Sequence, residues 1–390
     1  MEHFGFLQDA VPEAGFFRLR RNRLRTPMQP ASRARDFQLA RDALFHAAGL
    51  LGLVAGDHLL LPAYVCKAAV QPFLARGIQC DFYRLHADCS PDLEDIEGRL
   101  GPRTRGLLVV HYFGFPQPLR ALRRFCDERQ LLLIEDCAHV LQGTADGLPL
   151  GTVGDTSVFS WRKFLPLSDG ATLFIHRGAA HHMESLQRPG LSHELRVAFN
   201  ALQAAGSHPD SALCRGLYHM ISGLRGAAAA GEHQATVLPG GSRRKPVPPV
   251  GDIHGADFVD DGQHRAMSRV SSLLLSHADV ARVAETRRGN YGLLADGLQK
   301  ISGARLLHRD IGDTVCPWIL PCFLDGAPQA LAELRRRGMP VVGWGGVRPA
   351  LPAGQHPEAD RLYDELLFLP VHQSLREQDM AALLQAIGSL

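Results

Sequence analysis

The sequence lacks the patterns that mark several large functional classes. Its eight cysteines, Cys66, Cys80, Cys89, Cys126, Cys137, Cys214, Cys316 and Cys322, form no C-x-x-C pair and no Cys/His spacing of a zinc site. They read as free thiols in a reducing compartment. The 19 histidines include no H-E-x-x-H, so a metal centre is not expected. Neither sign of charge is in excess: 42 Lys and Arg against 40 Asp and Glu leave +2, too little for a nucleic-acid footprint. The basic run from Arg18 to Arg25 reads as a local solvated surface. No apolar run approaches the length of a membrane span, and charged residues interrupt the first 25 positions where a signal peptide needs a continuous apolar stretch. A soluble, cytoplasmic protein with no membrane partner is therefore expected. Internal repeats are absent, and Gly343 to Gly346 (G-W-G-G) lacks the flanking strand and helix of a nucleotide-binding fingerprint.

What remains is ordinary globular composition, 390 residues that are 45% hydrophobic and 21% charged, enough for two or three domains around a substantial core. After a basic arm covering 1–35, helix-like and apolar stretches alternate. Helices are predicted over Leu39–Gly52, from Lys67, over Leu93–Leu100 and over Pro118–Arg129. Strands are predicted at His58–Leu61, Ile78–Tyr83, Gly106–Val110 and Leu131–Ile134, with two more at Thr156–Phe159 and Ala171–Ile175. This repetition predicts an α/β fold built on a mostly parallel sheet. The pattern weakens over 178–262 and ends in a proline-rich stretch, Arg244–Val250, that reads as a semi-extended linker. Helical periodicity over Arg265–Gln299, a strand at Pro317–Cys322, a helix at Ala327–Arg337 and a terminal helix at Arg376–Ile387 predict a smaller α+β domain. The expected division is an arm (1–35), a large domain (36–250, divergent from 178) and a small domain (251–390).

In open α/β sheets ligands lie at the carboxyl ends of the strands, so the polar residues that follow each apolar run are the ones to inspect: Tyr64, His111, Tyr112, Glu135, Asp136 and His139. Asp136 alone reads equally as a helix cap. Lys163 alone reads as a snorkelling surface lysine, although its neighbours Trp161, Phe164 and Leu165 would make a charged amine costly and lower its pKa. Taken together, an acid at a strand end and a lysine in an apolar turn closed by Gly170 suggest pyridoxal 5′-phosphate. That coenzyme needs a lysine for its Schiff base and a carboxylate to keep its pyridine nitrogen protonated.

From about Arg41 to Leu390 the chain also resembles the DegT/StrS-type sugar aminotransferases of fold type I. The likeness rests on Leu59–Tyr64 (L-L-L-P-A-Y), Val110–Gly114 (V-H-Y-F-G), Ile134–His139 (I-E-D-C-A-H), the spacing from Lys163 to Gly170-Ala171, Arg265–Ser268 (R-A-M-S) and Leu367–His372 (L-F-L-P-V-H). Their order and spacing are specific together; any one of them is weak. The resemblance implies a large, mostly parallel sheet domain flanked by helices and a smaller α+β C-terminal domain. It makes Lys163 the Schiff-base lysine and proton carrier, Asp136 the partner of the pyridinium nitrogen, and His139 the residue near the coenzyme's phenolic oxygen.

Ser160 resembles the family's phosphate-binding serine, but it precedes the lysine by three residues where five are usual, so Ser157 or Arg162 could share its role. The family's S-G-T at the first helix is replaced by Leu39-Ala40-Arg41; the helix-start N–H groups at Ala40 and an Arg41 fork could bind the phosphate instead. Tyr64 or Cys66 occupies the region of the ring-stacking side chain. His264 stands where the family places an Asn that reaches the partner subunit's coenzyme. The implied protein is a homodimeric aminotransferase that moves an amino group, by likeness from glutamate, to a keto-sugar, often nucleotide-linked in the family, for a polysaccharide or secondary metabolite. The alternatives are a related sugar dehydratase or lyase, and a silent scaffold or regulator. The family's dehydratases carry histidine in place of the lysine, and a silent relative would have lost Lys163 or Asp136; both are present.

Overall fold

The computed structural model describes Phe16 and residues 33–177, 185–206, 263–351 and 354–390. Most of the expected basic arm, the proline-rich stretch and Cys214 lie outside the described residues. A seven-stranded sheet contains β1 (Arg33–Phe37), β2 (His58–Pro62), β3 (Gln79–Tyr83), β4 (Thr104–Val110), β5 (Leu132–Cys137), β8 (Thr156–Ser160) and β9 (Ala171–Ile175), in the order β1-β9-β8-β5-β4-β2-β3. Between β5 and β8 a short hairpin of β6 (Thr144–Ala145) and β7 (Leu148–Pro149) stands apart. Helices α1 (Ala40–Leu50), α2 (Lys67–Ala75), α3 (Leu93–Gly98) and α4 (Leu119–Glu128) alternate with the strands. The pairs β2/β3, β2/β4, β4/β5 and β5/β8 are parallel, whereas β8/β9 and β1/β9 are antiparallel.

The reasons are local. β2, β4 and β5 are apolar almost throughout and buried on both faces, as strands in the middle of a helix-covered parallel sheet must be. α4 buries Leu119, Leu122, Phe125 and Cys126 along one stripe and turns Arg120 and Arg124 outward, while Arg123 pairs with Asp155. Asp92 starts α3 by accepting from the N–H groups of Glu94 and Asp95.

One difference from the sequence reading is β1. Residues 33–35, placed in the basic arm, begin an edge strand. Only Phe37 of β1 is fully buried, so the alternation that would reveal a strand is missing.

Beyond α5 (Leu191–Gly206), the predicted helical stretch 265–299 is two helices, α6 (Arg269–His277) and α7 (Val280–Leu298). They are separated by extended backbone at Ala278, and Asp279 caps the second by accepting from the Arg282 N–H. A four-stranded antiparallel sheet, β10-β11-β13-β12, comprises β10 (Ala304–Leu306), β11 (Ile319–Leu324), β12 (Val342–Gly343) and β13 (Leu366–Pro370). It is accompanied by α8 (Ala327–Arg336), α9 (Pro357–Glu365) and α10 (Glu377–Gly388). The strand expected from Pro317 starts two residues later, because Trp318 is occupied in donating its N–H to Phe113 O at 2.8 Å. One apolar core runs continuously from β2, β4 and β5 to β11 and β13.

The entry to α1 is tied to the centre of the molecule. Gly170 N–H donates to Gln38 O at 2.8 Å, so the first turn of α1 abuts the end of the loop that carries Lys163. Asp42 in that turn is buried, and burial lifts its carboxyl to about 7 despite the attraction of Arg41, the Leu39 backbone and Arg265. The folded chain thus keeps this proton to about pH 7, while an unfolded chain loses it near 3.8, so stability falls as pH rises through that window. Asp42→Asn is expected to raise stability at pH 8 by roughly 2 kcal/mol and to leave it nearly unchanged at pH 4. Thermal melts at the two pH values check this.

Candidate active site

The parallel pairing of β5 with β8 builds the site. Asp136 lies opposite Val158, and both strands end at the same edge of the sheet. The chain leaves β8 at Ser160, makes a tight turn over Trp161–Lys163 and returns as β9. Lys163 is therefore delivered to the carboxyl end of β5, where Asp136 sits. The two groups act on one another. Burial drives the Lys163 amine down to about 8, with Arg162 pushing the same way and Asp136 and Cys66 holding it up. Burial raises the Asp136 carboxyl, while Lys163, the Ala138 N–H and His111 pull it back. The Ala138 N–H donates to Asp136 Oδ1 at 2.9 Å, fixing the carboxylate's rotamer.

Cys66, the residue before α2, belongs to the same group. Burial raises its thiol, Lys163 lowers it and Asp136 raises it further. Tyr64 is placed differently. Its ring packs among Tyr112 (5.6 Å between centroids), Trp344 (5.0 Å) and Tyr363 (4.8 Å), and its carbonyl accepts from the Tyr112 hydroxyl. Of the two expected platform residues, it is Cys66 that shares the electrostatic environment of Lys163 and Asp136.

His139 is buried and accepts from the Phe113 N–H at Nδ1 (3.3 Å), which leaves the proton of the neutral ring on Nε2. Its ring stacks on Trp318 at 4.1 Å and lies parallel to Phe113 at 5.9 Å. The Trp318 ring in turn lies 4.7 Å from Lys163 Nζ. Phe113 adopts a left-handed conformation, followed by Gly114 at φ +97°. A Cβ on Gly114 would sit 2.3 Å from Cys316 O, so the glycine of V-H-Y-F-G is what lets this turn press against the segment leading to Trp318.

Strand alternation separates the two candidate serines. Ser160 shares a face with Val158 and hence with Asp136; Ser157 lies on the opposite face. There Ser157 Oγ donates to Gly151 O at 2.7 Å and lies 3.1 Å from His176 Nε2. Arg162 is exposed at the turn. Ala40 and Arg41 open α1 beside Gly170. His264 packs its ring edge-on to His46 (5.1 Å) and Phe45 (6.4 Å) on the flank of α1.

Glu135, next to Asp136, faces the other way. It accepts from His111 Nε2 (3.0 Å) and from the N–H groups of Gly151, Val153 and Gly154. Burial opposes its ionisation, but His111 and these N–H groups hold its carboxyl below the usual range. His111, Glu135 and Cys137 bring potential ligand atoms within 4.8 Å. Glu135 is already saturated, and His111 Nδ1 accepts from the Gln117 N–H. His111 and Glu135 form a hydrogen-bonded pair in the core, with the buried Cys137 beside them.

Several residues that sequence reasoning missed wall the site: Trp318, Phe113, Trp344 and, behind them, Arg287 and Gln373. Arg287 is 1% exposed, and its guanidinium reaches the carbonyls of Phe164 and Trp318. Nothing local marks these positions. Phe113 follows β4; the others meet Lys163 because the four-stranded sheet and the helix before it pack over the strand ends.

Residues 39–201 match the model of the DegT/DnrJ/EryC1/StrS aminotransferase family. GDP-perosamine synthase of Vibrio cholerae is 32% identical over 120 residues, 30% of this chain and 33% of that protein. The dTDP-4-dehydro-2,3,6-trideoxy-D-glucose 4-aminotransferase of Saccharopolyspora spinosa is 32% identical over 135 residues, 34% of this chain and 35% of the relative. The matched part thus spans only about a third of these curated relatives. Among solved structures, DesV of S. venezuelae in complex with a ketimine intermediate superposes with a TM-score of 0.63 at 19% identity, over 95% of this chain and 87% of that one. The PLP form of Spr1654, a putative sugar aminotransferase of Streptococcus pneumoniae, gives 0.66 at 14% identity, over 97% and 93%. At these identities the likeness is one of fold, that of the fold-type-I aminotransferases. Among the described residues no helix is long and apolar enough to cross a membrane.

Proposed function

We propose, from the match of residues 39–201 to the model of the DegT/DnrJ/EryC1/StrS aminotransferase family and from the site's geometry, that the chain is a pyridoxal-phosphate-dependent aminotransferase whose acceptor is a keto-sugar or a related carbonyl compound. The observation that carries this reading is the meeting of the Lys163 amine and the Asp136 carboxylate, each shifting the other's proton affinity, under a wall of aromatic rings. Such a donor set fits the coenzyme: an amine neutral enough to attack a carbonyl and a buried carboxylate able to hold a cationic ring nitrogen. When bound, the coenzyme supplies an electron sink for the carbon that loses its proton.

The protein's own residues do the rest. Lys163 would hold the coenzyme through its amine and would serve as the proton carrier. Asp136, its rotamer fixed by the Ala138 N–H, holds a proton at the ring nitrogen. His139, with its proton on Nε2 and its ring plane fixed by the stack on Trp318, would be the donor to the phenolic oxygen. Ser160, the start of α1 at Ala40 and the Arg41 side chain form the phosphate cup; Cys66 borders the ring face, with Tyr64 packed behind it. Trp318, Trp344 and Phe113 exclude water from the amine, which favours its neutral form. The resemblance extends the proposal to a homodimer in the cytoplasm, with His264 beside the partner's site. By the resemblance the amino donor is glutamate; the acceptor is a keto-sugar, in line with the dehydro-sugar in the name of the Saccharopolyspora spinosa relative.

The test is a half reaction. With pyridoxal phosphate and glutamate, the protein should release one equivalent of 2-oxoglutarate per site and then consume 4-keto-sugar nucleotides in single turnover. Release of neither 2-oxoglutarate from glutamate nor 2-oxoglutaramate from glutamine would contradict the reading.

A further inference from the structure

Lys163 sits in a turn held from behind by two side chains of the opposite sheet region. Phe164 O, the carbonyl immediately after Lys163, accepts from Gln373 Nε2 at 2.9 Å and from Arg287 Nη2 at 3.2 Å. Gln373 Oε1 accepts from Arg287 Nε at 3.0 Å, so the two side chains form one rigid unit. The other arm of the guanidinium, Nη1, donates to Trp318 O at 3.0 Å and reaches Pro317 O at 3.4 Å. The guanidinium carbon also lies 4.9 Å from the Phe164 ring centroid. Arg287 is 1% and Gln373 5% exposed. Arg287 comes from α7 and Gln373 from the segment after β13, more than 120 and 200 residues beyond Lys163 in sequence.

One unit thus grips both the turn that carries the amine and the backbone of the residue whose ring lies 4.7 Å from that amine. A fixed guanidinium fork suits this task because it meets several carbonyls at once, which an ammonium cannot do at the same angles.

We propose that Arg287 and Gln373 are positioning residues that clamp the Lys163 turn against Trp318 and thereby keep the amine enclosed, dry and reactive. The proposal rests on the aminotransferase reading for its purpose, but its physical content is a property of the coenzyme-free protein. Released from the clamp, the turn would let water reach the amine and raise its proton affinity toward that of an ordinary lysine. The charged and titratable groups around the amine are Asp136 from β5, Cys66 ahead of α2 and Arg162 on the turn itself. None of them is altered by the test.

The chain has four lysines, Lys67, Lys163, Lys245 and Lys300, so each can be followed separately by mass spectrometry. The coenzyme-free protein is pulsed with acetic anhydride across pH 6 to 11, and the labelling midpoint of every lysine is read. In Gln373→Met, which keeps the volume but loses both hydrogen bonds, the Lys163 midpoint should rise by at least about one pH unit. That change lowers the neutral fraction at pH 8 about fivefold, and the midpoint of the exposed Lys300 should stay in place. Arg287→Lys, which keeps the charge and loses the fork, should act in the same direction. A Lys163 midpoint that stays put in both folded variants, with only the melting temperature lowered, would overturn the proposal and reduce the pair to core packing. Failure of the aminotransferase reading shows independently, as wild-type protein that acquires no pyridoxal phosphate on Lys163 after borohydride.

Discussion

Lys163→Ala is expected to lose the glutamate half reaction by at least ~10³-fold, because one side chain supplies both the nucleophile and the proton carrier. Its pKa magnifies the loss. A lysine near 10.5 is almost wholly protonated at neutral pH, whereas one lowered to about 8 is neutral roughly three-hundredfold more often at pH 7. No other described lysine can take its place. Lys67 opens α2 and Lys300 is exposed after α7. The check is single-turnover release of 2-oxoglutarate by the variant at saturating pyridoxal phosphate. Added methylamine should restore a small part of the rate, since a free amine can enter the space the side chain has left. Undiminished activity in Lys163→Ala would remove the amine from the chemistry altogether.

Asp136→Asn carries the second large effect, and it has two separable parts. The half reaction should slow about a hundredfold or more, because an amide cannot hold a cationic ring nitrogen in its protonated form. The coenzyme-free protein should change as well. Asp136 raises the proton affinity of Lys163, so removing its charge should move the lysine's labelling midpoint below about 8. That shift is opposite in sign to the one expected when the clamp is loosened. A variant that loses activity while its Lys163 midpoint stays at the wild-type value would mean that the two groups are not electrically coupled in solution.

The βα alternation of the first 175 residues was legible because central parallel strands are continuous apolar runs between amphipathic helices. Their polar terminators fall where ligands must lie. Asp136 and Lys163 could be singled out for that reason: one ends β5, and the other follows β8, the strand paired with it. The choice between Ser157 and Ser160 was also present in the sequence. Alternation places Ser160 with Asp136 and Ser157 with Glu135, once the strand is known to run unbroken to Ser160.

The edge strand β1 stayed hidden because Arg33, Ala34, Arg35 and Asp36 bury no clear face. The aromatic wall stayed hidden for a different reason. Trp318 and Trp344 flank strands of a small antiparallel sheet whose position over the strand ends is set by long-range packing, including the Trp318 N–H to Phe113 O bond. Tyr64 illustrates the limit of reading by residue type. Its ring is chemically the better platform than a thiol, yet it follows a strand end at which Tyr112, Trp344 and Tyr363 claim its surface, and the smaller Cys66 reaches the site.

The most direct measurement is to mix the protein with pyridoxal phosphate, reduce it with borohydride and map the product by peptide mass spectrometry. The expected result is a single phosphopyridoxyl addition on the peptide containing Lys163, with Lys67, Lys245 and Lys300 unmodified. Protein that emerges without the added mass, or with it on one of the other three lysines, would contradict the assignment of this site.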